Sequence, residues 1–162
     1  MIRLVSLAAF FLSFFAAAAI PALAVPHQGD PAPAFTLARA SGGTISLSNY
    51  KGKPLYLNFF ASWCGPCNDE APSVGKLYAK YHSKGFTVLG INELEDKTKA
   101  LAFARQYKWP FAIAVDDGTM GGSYGIVGLP VHIFIDKNGK VSTYRLGQMD
   151  PPEIEAAIKK IL

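Results

Sequence analysis

The sequence predicts an α/β protein built on a mixed β-sheet, with parallel crossovers and helices on both faces. Three observations carry that expectation. The runs "PLYLNFF" (54–60), "FTVLGIN" (86–92) and "FAIAV" (111–115) are nearly continuous in apolar residues and bounded by turns, as strands buried on both faces are. Segments with helical spacing separate them, which is what parallel neighbours need. Beyond residue 130 two more strand-like runs follow each other across a tight turn and add an antiparallel pair.

Residues 1–24 read as a signal peptide. Arg3 supplies a positive start, residues 4–20 are apolar apart from Ser6 and Ser13, and Ala22-Leu23-Ala24 fits a small-x-small cleavage site. The alternative is a retained anchor, because the run sits at the lower limit of about 17 residues for a spanning helix. Both readings place the rest of the chain outside the cytoplasm, in the periplasm or on the outer face of an inner membrane. Beyond residue 24, 15 basic residues stand against 12 acidic ones. The lysines are scattered and no aromatic-basic stretch suggests a nucleic-acid surface.

Residues 25–33, "VPHQGDPAP", are polar and proline-rich and read as an extended lead-in. A domain over 34–162 follows, long enough for a real core. It opens on a β-hairpin, with pieces at 35–37 and 44–47 joined by Ser41-Gly42-Gly43. After the strand at 54–60, a helix begins past Cys64, with Val74, Leu77, Tyr78 and Tyr81 at helical spacing and Pro72 expected to kink it. "DKTKALAFARQYK" (96–108) is an amphipathic helix expected to turn Leu101, Ala104 and Tyr107 inward. Residues 116–130 read as a glycine-rich loop. "VHIFID" and "KVSTYRL" are the antiparallel pair about Lys137-Asn138-Gly139, and "DPPEIEAAIKKIL" is a last helix with prolines tolerated in its first turn.

The chemistry concentrates in "FFASWCGPCNDEAP" (59–72), which holds both cysteines. A structural disulfide across two residues constrains little: the chain-entropy model gives roughly 2 kcal/mol, against about 4.7 for a 100-residue loop. A closed zinc site needs four ligands, and His27, His82 and His132 are isolated from one another. Two thiolates for copper(I), with His132, remain chemically open. The third reading is a redox dithiol. Cys-x-x-Cys where a buried strand meets a helix places the first sulfur beside unpaired N–H groups and the positive helix end. That setting favours a thiolate on Cys64, which attacks a disulfide, and Cys67 one turn later resolves the product.

"WCGPC" (63–67) after "PLYLNFFAS" resembles the active site of the thioredoxin family. The stretches 31–74 and "GSYGIVGLPVHIFIDKNGKV" (122–141) are similar to its exported TlpA/ResA-type branch, so the resemblance covers roughly residues 31–162. It implies a thioredoxin fold, a mixed central sheet flanked by helices, with an N-terminal β-hairpin extension. It also implies that Cys64 and Cys67 form the redox-active, catalytic disulfide, without cofactor or metal. Pro130 would be the cis-proline beside them, with Leu129 offering its backbone to a substrate peptide. Trp63, Gly65 and Pro66 would complete the substrate-binding surface.

Glu70 matches the Trp-Cys-x-x-Cys-x-x-Glu-x-Pro pattern of that branch and would relay the Cys67 proton or oppose thiolate formation on Cys64. The alternative, for Glu70 and for Asp69, is an acid favouring a first helical turn. Asn58 stands where cytoplasmic thioredoxins bury an aspartate, and cannot take a proton, so any base is water or Glu70. Where the family often has threonine after the proline, this chain has Val131 and then His132. His132 faces either a helix or solvent, or else tunes the dithiol.

The implied partners are disulfide-containing or dithiol substrate proteins and a membrane electron donor that re-reduces the dithiol. The membrane itself is involved only if the N-terminal segment is retained. Cytochrome c maturation and oxidase copper-site assembly are the branch's roles. Two other classes stay open: a copper(I) chaperone using the two thiolates, and a thiol peroxidase. The peroxidase reading is the weaker, since Ala61-Ser62-Trp63 lacks the hydroxyl and arginine arrangement of such a site.

Overall fold

The computed structural model describes residues 25–162. The expected signal segment lies outside the described residues. Among the described residues, no helix is long and apolar enough to cross a membrane.

The hairpin forms as expected, β1 (Thr36–Arg39) against β2 (Thr44–Ser46), with Leu37 opposite Ile45. The run at 54–60 becomes β3 (Leu55–Phe60), buried along its whole length. It is flanked by β4 (Thr87–Glu93) in parallel and by β6 (Val131–Ile135) antiparallel. β5 (Ala112–Asp116) lies parallel to β4, and β7 (Val141–Leu146) closes the far edge against β6. Among the described residues, seven strands form one sheet in the order β2-β1-β5-β4-β3-β6-β7. β3, which delivers the cysteines, sits inside the sheet, so its end is fixed from both sides.

Period-two alternation divides the core. Tyr56, Phe60, Val88, Ile113 and Phe134 face α1 (Gly65–Tyr81), α2 (Lys97–Gln106) and α4 (Pro151–Ile161). Leu55, Leu57, Phe59, Leu89, Ile91 and Ile133 face the opposite way, under Phe35, Ile45 and the short α3 (Thr119–Tyr124). Helices do lie on both faces, but all three long ones share one.

Two local expectations need correction. Residues 116–130 are not all loop, because α3 forms within them. Asp116 accepts from the Thr119 N–H and hydroxyl at 3.1 and 2.8 Å and from the Met120 N–H at 3.0 Å. Left-handed glycines, Gly118 and Gly125, stop the turn at both ends. The buried stripe of α2 is Ala100, Phe103 and Ala104, with Leu101 and Tyr107 only half-buried. Phe103 sets that rotation, its ring 4.5 Å from Phe60 and 5.1 Å from Trp109. α1 continues through Pro72, although that residue gives its turn no N–H. Beside it the Trp109 indole donates to the Ala71 carbonyl at 2.8 Å.

Close packing around Trp109 explains a glycine inside β4. A Cβ on Gly90 would stand 2.8 Å from Ile113 Cδ1 and 3.3 Å from the Phe60 and Trp109 rings. The lead-in is stitched to the domain. Gly29 N–H donates to the Val141 carbonyl, Val141 N–H to that of Asp30 and Ala32 N–H to that of Gly139, all at 2.8–2.9 Å.

Candidate active site

The chain leaves β3 at Phe60, crosses Ala61-Ser62-Trp63 and enters α1 at Gly65. Cys64 is the N-cap and Pro66 occupies the first turn, where its missing N–H leaves no helical bond unmade. Cys64 and Cys67 are joined in a disulfide with Cα atoms 5.3 Å apart, and both are buried. The Cys67 N–H points at Cys64 Sγ, 3.2 Å away. On reduction that donor and the helix end would stabilise negative charge on Cys64.

The Leu129–Pro130 peptide bond is cis, as the resemblance implied. Trp63 is 68% exposed, so it is no core aromatic, and Gly65 and Pro66 are exposed beside it. Leu129 is half-buried and Val127 exposed on the approach to the cis bond.

Behind the disulfide lies a buried polar group that the fold assembles from three elements. Glu70 falls in the second turn of α1 and is 5% exposed, so the first-turn reading is wrong for it, and likewise for the exposed Asp69. One Glu70 oxygen accepts from the Met149 N–H; the other lies 3.4 Å from His132 Nε2. His132 is fully buried on the helix side of β6, in register with Asn58 of β3. Its Nδ1 is 2.6 Å from the Tyr56 hydroxyl, to which the Asn58 amide donates at 2.7 Å. Burial pushes the Tyr56 phenol well above its usual range, a rise that the Asn58 hydrogen bond opposes and the Glu70 charge reinforces. Asn58 is thus occupied with Tyr56. Both nitrogens of His132 face these partners, which does not favour a copper site combining that ring with the two sulfurs.

A second set of contacts fixes the front of the site, and the sequence did not disclose it. Glu95, just past β4, accepts from the Ser62 N–H at 2.7 Å and hydroxyl at 2.6 Å, and from the Asn92 amide at 2.9 Å. Burial raises the Glu95 carboxyl, but the Ser62 and Asn92 hydrogen bonds and the Lys99 charge outweigh it and leave it below its usual range. Asn68 donates to the carbonyls of Ser62 and Cys64 at 3.1 and 2.7 Å, and accepts from Tyr107 at 2.7 Å. The only local signal was an asparagine one residue after the second cysteine.

Comparison with known proteins agrees with this geometry. Residues 28–144 match the model of the AhpC/TSA family. The chain belongs to that family. It is 37% identical over 134 residues to a thiol-disulfide oxidoreductase ResA of Bacillus thuringiensis, covering 82% of this chain and 78% of that protein. It is 34% identical over 132 residues to the thioredoxin-like protein YneN of Bacillus subtilis, covering 80% and 77%. Among solved structures, a putative thiol:disulfide interchange protein DsbE from Chlorobium tepidum superposes with TM-score 0.73 at 36% identity, covering 82% of this chain and 99% of that one. A secreted disulfide oxidoreductase of Mycobacterium tuberculosis, homologous to Escherichia coli DsbE, gives 0.70 at 27% identity, covering 78% and 95%. The fold is therefore thioredoxin-like, and this family member is a thiol–disulfide oxidoreductase with its cysteine pair at 64 and 67.

Proposed function

We propose that this is an exported enzyme that reduces disulfides in extracytoplasmic proteins and is itself re-reduced by a membrane electron donor. The observation that carries the reading is the Cys64–Cys67 pair at the N-terminus of α1, with Trp63 exposed next to it and cis-Pro130 directly ahead of β6, which pairs with β3. Export is supported by the secreted mycobacterial relative and by the signal-like residues 1–24. Cytochrome c maturation or oxidase copper-site assembly supplies suitable substrates.

In the reduced enzyme the Cys64 thiolate attacks one sulfur of the substrate disulfide. The other substrate sulfur leaves with the electron pair and takes up a proton. Cys67 then loses its proton and attacks Cys64 Sγ, expelling the second substrate thiolate. Two electrons have passed to the substrate, and the enzyme holds the disulfide seen here. Glu70, three residues after Cys67 on the same helical face, is the group that exchanges the Cys67 proton. Leu129 presents its backbone to the substrate strand, and Trp63, Gly65 and Pro66 form the rest of the contact surface.

The deciding measurement is the reduction potential of the couple in residues 25–162, equilibrated with defined thiol–disulfide buffers. A value near or below about −250 mV, close to thioredoxin's −270, supports the reductant. A value near about −120 mV makes it a disulfide donor. Cys67→Ser should accumulate a mixed disulfide through Cys64, whereas Cys64→Ser should trap nothing.

A further inference from the structure

The buried group behind the disulfide contains more than the proton relay requires. His132 Nε2 and Glu70 Oε2 are both buried, and neither has a hydrogen-bond partner among the described residues. They face each other at 3.4 Å, beyond an ordinary N–H···O bond. Orphaned buried polar atoms are costly, and two of them set opposite one another call for an explanation.

Proton bookkeeping around Tyr56 supplies it. The Asn58 amide donates to the Tyr56 oxygen, which leaves the phenolic hydrogen free to go to His132 Nδ1. A ring that accepts at Nδ1 carries its hydrogen on Nε2, the nitrogen turned toward Glu70. The other titratable groups packed here do not compete. Arg145, in register with His132 on β7, is half-exposed and lies 3.9 Å from Glu153 of α4. Glu155 of α4 is held by Lys80 and Tyr81. On α1, Cys67 precedes Glu70 by three residues.

We propose that His132, held as its Nε2–H tautomer by Tyr56 and Asn58, positions the Glu70 carboxyl and through it sets the pH at which the dithiol reacts. The proposal rests on the Glu70 reading above and adds to its proton relay that the same carboxylate, while charged, opposes thiolate formation on Cys64. A donor beside a carboxylate favours its charged form, and a charged carboxylate beside the dithiol opposes thiolate formation. Without the imidazole the carboxylate is no longer held in that position, and the thiolate forms at lower pH.

The test is the pH profile of iodoacetamide alkylation of the reduced full-length protein, with thermal melts to show that each variant folds. His132→Leu should move the midpoint down by about half a unit or more, a roughly threefold faster reaction below the midpoint. His132→Gln, which keeps a neutral N–H donor, should restore the wild-type midpoint. Glu70→Gln should shift the profile the same way, and His132→Leu should then add nothing. An unchanged profile in Glu70→Gln overturns the Glu70 reading and this proposal with it. A shift in Glu70→Gln without one in folded His132→Leu, or additive shifts, overturns the His132 proposal alone. Imidazole 15N shifts of the wild type should report Nε2–H; an Nδ1–H ring would equally overturn it.

Discussion

Ser62 gives both its backbone N–H and its hydroxyl to the two oxygens of Glu95, at 2.7 and 2.6 Å. The loop ahead of the cysteines is thus tied to Glu95, just past β4 and 33 residues further along the chain. Glu95→Ala should cost about 1.5–3 kcal/mol at neutral pH, as charged hydrogen bonds do, and lower disulfide reductase activity. The Glu95 carboxyl is depressed in the fold, so its contribution is present above the ordinary carboxylate pKa and lost as pH falls through the lowered value. Melting curves of wild type and variant should converge in acid.

Glu93 behaves in the opposite sense. It is 5% exposed, and burial first, then the charge and hydrogen bond of Asp116 and the charge of Asp117, push its carboxyl up to about 8. A raised carboxyl favours the fold fully below its unfolded pKa, and that advantage drains away as pH rises through about 8. Glu93→Gln, which keeps a donor for Asp116, should therefore match wild type below the ordinary value of 4.5 and exceed it by about 2 kcal/mol above about 8. Urea titrations across that range measure the difference.

Trp63 should matter to substrates and hardly to the fold. At 68% exposed, Trp63→Ala is expected to change stability by less than about 0.5 kcal/mol. Steady-state kinetics with a protein disulfide should show KM raised about tenfold, the loss expected of a contact-surface aromatic. A small-molecule disulfide should be reduced at close to the wild-type rate.

Gly90→Ala should do the reverse. Its Cβ would press 2.8 Å from Ile113 and crowd the Phe60 and Trp109 rings, costing about 1–3 kcal/mol. The reduction potential should not move, because the added methyl brings no charge and no hydrogen-bonding group to the sulfurs.

The sequence disclosed whatever depends on neighbours along the chain. The strand at 54–60, the helix after Cys64 and the prolines opening α4 follow from local pattern and turn chemistry. It misplaced what tertiary contact decides. It placed Ala104 inward on α2 but missed Phe103, the ring that meets Phe60 and Trp109, while Leu101 and Tyr107 pack half-buried against the same core. α3 is hidden from the sequence because four glycines from 118 to 125 mask a turn that the Asp116 carboxylate caps. At the site the motif gave Cys64, Cys67, Glu70 and Pro130. His132 was left between two orientations, since only the register of β6 on β3 turns it toward Glu70. Glu95 had no motif at all; its partner lies on another element.

The stitching of residues 29–32 to β7 has a consequence for delivery. Val25 already lies close against Gly125, near the loop that leads to Pro130. A leash works by its slack, and here almost none remains between residue 24 and the domain. Were the first 24 residues kept in a membrane, residues 25–32 would add little reach, and the dithiol would work close to the surface.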